Sequence, residues 1–123
     1  MISVVIPAYN EAGNIKTIAE KIAEQLRDTG DYEIIFVDDG SEDSTLEKIK
    51  EASQSDSAIK FISFSRNFGH QKALKAGLDN ALGDCVISMD ADLQHPPEII
   101  GELIGKWKDV FRYTGQHSQG TAH

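Results

Sequence analysis

The sequence predicts an α/β protein with a Rossmann-like, mostly parallel sheet and helices on both faces. Two observations point there. Short β-branched runs alternate along the chain with apolar stripes at helical spacing, in the order βαβαβαβα. Every strand-like run also opens into a polar loop, as expected where helical crossovers join parallel strands and the loops gather at one edge of the sheet.

The elements follow in order. Ile2 to Ile6 form a β-branched run closed by Pro7, which cannot donate to a ladder, so this is strand one. Ile15, Ile18, Ala19, Ile22, Ala23 and Leu26 recur every three or four residues, while Lys16, Glu20, Lys21 and Glu24 take the opposite face, and Gly30 is the expected stop. Glu33 to Val37 make strand two. Leu46, Ile49 and Lys50 belong to a weaker helix starting near Ser41 or Ser44, and Ile59 to Phe64 make strand three. A third helix spans Gln71 to Leu82, with Gly77 suited to close packing on the sheet and Gly83 as its stop. Cys85 to Met89 form strand four. Pro96 and Pro97 then open a fourth helix through Ile99, Ile100, Leu103, Ile104 and Trp107. From Asp109 to His123 the apolar period disappears and Gly, Ser, Thr, Gln and His dominate, so a polar, disordered tail is expected.

Composition narrows the function. The chain has 123 residues, with 12 Lys+Arg against 20 Asp+Glu, a formal charge of −8. A chain of this length can bury roughly two-thirds of its unfolded surface, so it needs no disulfide or structural metal. The acid excess and the lack of a basic stripe argue against nucleic-acid binding. Cys85 is the only cysteine, which excludes a disulfide framework and points to a reducing, cytoplasmic address. No window approaches the ~20 apolar residues of a membrane span, and no signal peptide is expected.

Four unusual loops fall at the carboxyl edge of the expected sheet. They are Ala8-Tyr9-Asn10-Glu11, Asp38-Asp39-Gly40-Ser41, Arg66-Asn67-Phe68-Gly69 and Asp90-Ala91-Asp92-Leu93-Gln94. Asp90 and Asp92 alternate at a strand end, so both carboxylates can face one side, and Gln94 continues the spacing with an amide oxygen. Such oxygen donors suit Mg²⁺ or Mn²⁺, which usually complete their shell with phosphate and water and so fit a nucleoside diphosphate. The competing reading makes the two aspartates turn and capping residues before Pro96. Carboxylates at Asp38 and Asp39 can accept from a base or a ribose hydroxyl, or simply form the turn. Asn10 and Glu11 can begin the first helix, and Tyr9 can stack on a base. Arg66 can meet phosphate or make a surface ion pair. His70 and His95 are assigned surface or capping roles. A calcium loop from Asp39 fails at Ser44 and Lys50, where Gly and Glu are required. No Gly-x-x-x-x-Gly-Lys stretch follows strand one, and an aspartate-nucleophile phosphatase would carry its aspartates after the first strand.

Val5-Ile-Pro-Ala-Tyr-Asn-Glu11, Val37-Asp-Asp-Gly-Ser41 with Asp43 and Thr45, Arg66-Asn67 with Gly69, and Met89-Asp-Ala-Asp-Leu-Gln-His-Pro-Pro-Glu98 together resemble glycosyltransferase family 2. The Asp-Ala-Asp-Leu-Gln-His-Pro wording looks most like the dolichyl- and undecaprenyl-phosphate glycosyltransferases. The resemblance covers residues 1–108 and implies the GT-A fold. It further implies a UDP- or GDP-sugar donor, Mg²⁺ or Mn²⁺, a polyprenyl-phosphate acceptor at the cytoplasmic membrane face, and inversion at the anomeric carbon. By the same resemblance Pro7, Tyr9, Glu11, Val37 and Asp39 hold the nucleoside of the donor, and Asn10 and Arg66 belong to the same nucleotide-sugar site. Asp90, Ala91 and Asp92 meet the diphosphate, and Asp90, Asp92 and Gln94 hold the metal. Family members continue further, with a basic donor-contacting segment and acceptor elements. The expectation is therefore a truncated, amino-terminal donor-binding part, with no base assigned and with a non-catalytic binding module as the alternative. A sheet lacking its carboxyl half is expected to leave an apolar edge or face that favours self-association.

Overall fold

In the computed structural model of the protein, residues 1–91 are described. Asp92, Gln94, the helix expected from Pro96 to Trp107 and the tail from Asp109 lie outside the described residues. The strands are β1 (Ile2–Ala8), β2 (Tyr32–Asp38), β3 (Ile59–Ser63) and β4 (Cys85–Ser88), and the helices are α1 (Ile15–Leu26), α2 (Thr45–Ser55) and α3 (His70–Asn80). The sheet order is β3-β2-β1-β4, and every pairing is parallel. This is the Rossmann-like parallel arrangement predicted from the alternating pattern.

Alternation along the central strands sorts the core into two layers. Val4, Ile6, Ile34 and Phe36 point to one face and pack with Ile15, Ile18, Ile22 and Leu26 of α1 and Ile49 of α2. Ile35 and Val37 point to the other face and meet Ala73 of α3. Helices therefore cover both faces. Phe36, Ile6, Ile18 and Ile22 are fully buried, and at about 1.5–3 kcal/mol per large apolar side chain this layer is the main stabilising element.

On the other face, Gly77 is what allows α3 to approach: a Cβ there would sit 2.2 Å from Val5 Cγ1. Pro7 lies inside β1, one residue further than the expected strand end. Val5 O accepts Met89 N, so Val5 and Pro7 both direct their main-chain polar groups toward β4, whose register with β1 ends at Val5–Ser88. The missing N–H of Pro7 thus breaks no ladder bond.

Helix ends shift modestly from the expectation. α3 runs from His70 to Asn80 and stops before Leu82, and Gly83 serves another purpose. Its N–H donates to Ser3 Oγ (2.8 Å), and a Cβ would meet Met1 O at 2.6 Å, so this position needs a glycine for space. Nearby, the buried Glu33 carboxylate accepts from Ser3 Oγ (2.6 Å), Leu82 N (2.6 Å) and Lys60 Nζ (2.8 Å). Burial pushes the Glu33 carboxyl up, but the Leu82, Lys60 and Ser3 donors outweigh it and hold it below the ordinary glutamate value. Cys85 is buried and its thiol is raised by desolvation, as expected of a small core residue. Among the described residues no helix is long and apolar enough to cross a membrane.

Candidate functional site

The strand order has one topological switch point. From β1 the chain steps outward through β2 to β3 and then returns to place β4 on the opposite side of β1. α1 and α3 leave on opposite faces, so a crevice opens beyond the carboxyl ends of β1 and β4. An open groove of about 420 Å³ lies there, lined by Pro7, Tyr9, Glu11, His70, Asp90 and Ala91. A smaller hollow of about 160 Å³ adjoins it, lined by Pro7, His70, Leu74, Ser88, Met89 and Asp90.

Five residues chosen from the sequence therefore meet in one groove: Pro7, Tyr9, Glu11, Asp90 and Ala91. Asp90 is exposed, Glu11 is half-buried and Ala91 is buried. Asn14 Nδ2 donates to one Glu11 carboxylate oxygen (3.1 Å), which orients that side chain from the start of α1. Asp92 and Gln94, expected beside Asp90, lie outside the described residues. Among the described residues no group of three or more acidic, histidine or cysteine side chains stands close enough to form a complete metal site. Asp90 is nevertheless a hard oxygen donor on the groove wall, the donor chemistry that Mg²⁺ or Mn²⁺ requires.

The other chosen residues shape the loops. Asn10 adopts φ 54°, a left-handed conformation that asparagine tolerates better than most residues. Its N–H donates to Ser41 Oγ (2.9 Å), and its Oδ1 accepts Glu42 N (2.9 Å). Glu11 N donates to Thr45 Oγ1 (2.9 Å), and Ala12 N donates to Asp43 Oδ2 (3.4 Å). Asp43 also accepts the Thr45 N–H (2.9 Å) and the Thr45 hydroxyl. The Thr45 hydroxyl leads in holding the Asp43 carboxyl below its ordinary value, against desolvation and with help from the Thr45 and Ala12 N–H groups. The loop after β2 thus grips the loop that carries Tyr9 and Glu11.

Asp38 and Asp39 are both buried and divide the turn between them. Asp38 Oδ1 accepts Ser41 N (3.2 Å) and closes the turn. Asp39 accepts Phe68 N at Oδ1 (2.8 Å), and Gly69 N (3.1 Å) and Asn67 Nδ2 (3.1 Å) at Oδ2. Three donors on one buried carboxylate make it an anchor for the loop that leads into α3. Gly40, at φ 69°, lets that loop approach, since a Cβ would sit 2.1 Å from the Arg66 carbonyl carbon. The Val37 side chain is fully buried beside Gly77, so it meets protein and does not line the groove. Arg66 also stands apart from the groove lining, with its guanidinium 4.4 Å from the centroid of the Phe68 ring.

One lining residue was not among the candidate site residues read from the sequence. His70, read as a surface or cap residue, borders both cavities. The available signal was its place at the start of α3 on the same carboxyl edge, one residue past the Arg66-Asn67-Phe68-Gly69 loop.

The sequence profile of Glycosyl transferase family 2 matches residues 3–116. The chain belongs to glycosyltransferase family 2. Among family relatives, the uncharacterized glycosyltransferase YkcC of Bacillus subtilis (strain 168) is 47% identical over 110 residues, covering 89% of this chain and 34% of that protein. The bactoprenol glucosyl transferase of Shigella phage SfV is 44% identical over 108 residues, covering 87% of this chain and 35% of that protein. The chain thus spans about a third of the length of these relatives. A solved mannosyltransferase, PcManGT from Pyrobaculum calidifontis in complex with GDP-Man and Mn²⁺, superposes with a TM-score of 0.77 at 26% identity, covering 86% of this chain and 32% of that one. The family match agrees with the resemblance carried by the four loops, and the switch-point groove brings together residues that follow β1 and β4.

Proposed function

We propose that this chain forms the donor-binding part of a glycosyltransferase that passes a sugar from a UDP- or GDP-sugar to a polyprenyl phosphate, with inversion, at the cytoplasmic face of a membrane. The observation that carries the reading is the groove at the switch point, where Tyr9 and Glu11 from β1 face Asp90 and Ala91 from β4. The lipid-phosphate acceptor is supported by the likeness to a bactoprenol glucosyl transferase, and the sugar nucleotide by the likeness to a protein solved with GDP-Man.

In this reading Tyr9 offers a ring face and Glu11 a carboxylate to the nucleoside, while the Asn10–Ser41 and Glu11–Thr45 hydrogen bonds set both side chains in advance. Asp39 and Val37 act on the donor from behind, Asp39 by holding the loop before α3 and Val37 by seating α3 on the sheet. Arg66 contributes from the rim. A Mg²⁺ or Mn²⁺ ion held by Asp90, Asp92 and Gln94 would offset the charge of the departing nucleoside diphosphate. The phosphate of a lipid acceptor is already anionic, so its attack on the anomeric carbon places a small demand on a general base.

Calorimetric titration of the chain with UDP and GDP, each with and without Mn²⁺, tests the reading. Metal-enhanced binding of one nucleotide is the expected result and names the donor class. A folded chain that binds neither nucleotide in the presence of Mn²⁺ overturns it.

A further inference from the structure

The groove between β1 and β4 contains an imidazole outside the residues that the family wording singles out. His70 begins α3 and is exposed. It borders the larger groove with Tyr9, Glu11 and Asp90, and the adjoining hollow again with Asp90 and Pro7. Tyr9 and Glu11 border only the larger cavity, so His70 stands at the Asp90 end.

The chemistry of the lining gives this position its meaning. Ionised Glu11 and Asp90 are acceptors only, Pro7 has no N–H, and Ala91 has no polar side chain. Among the described residues of the lining, Tyr9 and His70 are the remaining side-chain donors, one toward each end of the groove. The described lining carries two carboxylates and no lysine or arginine, so a fixed donor beside any bound cation favours an anionic ligand there. Among the described residues no ion pair and no hydrogen bond engages the His70 ring. Its main chain is well fixed, because Phe68 N and Gly69 N immediately before it are both held by Asp39.

We propose that His70 binds the diphosphate of the nucleotide donor at the Asp90 end of the groove, donating a ring N–H to a phosphate oxygen. The proposal rests on the donor-site reading above. It assigns the ring to the phosphates and not to the nucleoside, so loss of the ring must weaken nucleoside diphosphates selectively.

The test is binding of UDP and GDP, and by competition of uridine and guanosine, to the full 123-residue chain and to His70→Ala and His70→Gln, in Mn²⁺, with circular dichroism as the fold control. His70→Ala is expected to weaken the preferred nucleoside diphosphate about tenfold or more while leaving its nucleoside within about twofold, as for loss of one charge-assisted hydrogen bond. His70→Gln, which keeps an N–H donor, is expected to recover part of the affinity. Equal affinity of His70→Ala and the parent chain for the diphosphate overturns the proposal, as does an equal loss for diphosphate and nucleoside. A loss of Mn²⁺ binding in the absence of nucleotide would assign the ring to the metal and also overturn it. If the parent chain binds no nucleotide the donor-site reading itself falls; if it binds and the variants bind equally, only the role of His70 falls.

Discussion

Replacing Asp39 with asparagine separates a ligand contact from a loop anchor. The Asp39 carboxylate accepts one N–H at Oδ1 and two at Oδ2, all from the segment 67–69. An asparagine keeps the shape but has a single acceptor oxygen. Placed where Oδ2 is, that oxygen keeps Asn67 and Gly69 and turns its own NH₂ toward Phe68 N; flipped, it keeps Phe68 and faces two donors. At least one charge-assisted bond of about 1.5–3 kcal/mol is lost in either case. The Phe68 N–H is only partly buried, so water recovers part of the desolvation penalty, and removal of a buried charge recovers a little more. A net loss of about 1–2 kcal/mol is expected, an appreciable share of the roughly 5–15 kcal/mol that holds a domain together.

Asp38 supplies the internal comparison. Its carboxylate accepts only Ser41 N among these donors, a bond that asparagine retains, so Asp38→Asn is expected to cost under about 1 kcal/mol. Urea unfolding followed by far-ultraviolet circular dichroism reads both. With a urea slope of about 1–3 kcal/mol/M for a small domain, Asp39→Asn should lower the midpoint by roughly 1 M and Asp38→Asn by less. An Asp39→Asn midpoint matching the parent chain would falsify the anchor role. Unchanged stability combined with lost nucleotide binding would return Asp39 to direct contact with the donor.

Three further expectations come from the packing and the charges. Gly77→Ala forces a Cβ to within 2.2 Å of Val5 Cγ1, so α3 must lift from the sheet; overpacking of this kind costs about 1–3 kcal/mol, read as a lower urea midpoint. Glu33→Ala leaves the Leu82 N–H and the Ser3 hydroxyl without their acceptor, while the half-exposed Lys60 ammonium returns to water, and is expected to cost about 2–3 kcal/mol; nucleotide affinity of the folded fraction stays unchanged because Glu33 lies at the opposite end of the strands from the groove. Glu33 and Asp43 both sit below their ordinary values in the folded chain, so their contribution to stability is fully present above about pH 5 and is lost as the pH falls through their folded values; urea midpoints measured from pH 7 down to pH 3 should decline over that interval, and a flat profile would contradict the two assignments.

The sequence by itself determined the strands, the helices and the edge at which the site would lie, because each depends on a local signal. Period-two and helical periodicity mark which residues face a core, and a parallel strand with a helical crossover brings its polar loop to the carboxyl edge wherever it lies in the chain. Gly77 was legible for the same reason, as a small residue in the buried stripe of a helix. Asp90, Glu11 and Tyr9 were legible because their loops follow the two strands that flank the switch point.

Tertiary structure alone decided which motif residues face the groove and which hold it together. Asp39, Asn10, Ser41 and Thr45 belong to the same wording as Tyr9 and Glu11, yet their polar atoms are spent on partners about thirty residues away, across loops that meet only when β2 pairs with β1 on one side and β3 on the other. A carboxylate in a turn reads the same in sequence whether it awaits a ligand or accepts three protein N–H groups, since the difference lies in donors supplied by another loop. His70, exposed at the start of α3 as a surface or capping role requires, borders the groove for a reason the sequence does not carry: nothing local shows that the return of β4 beside β1 will set Asp90 and this imidazole on the walls of one groove.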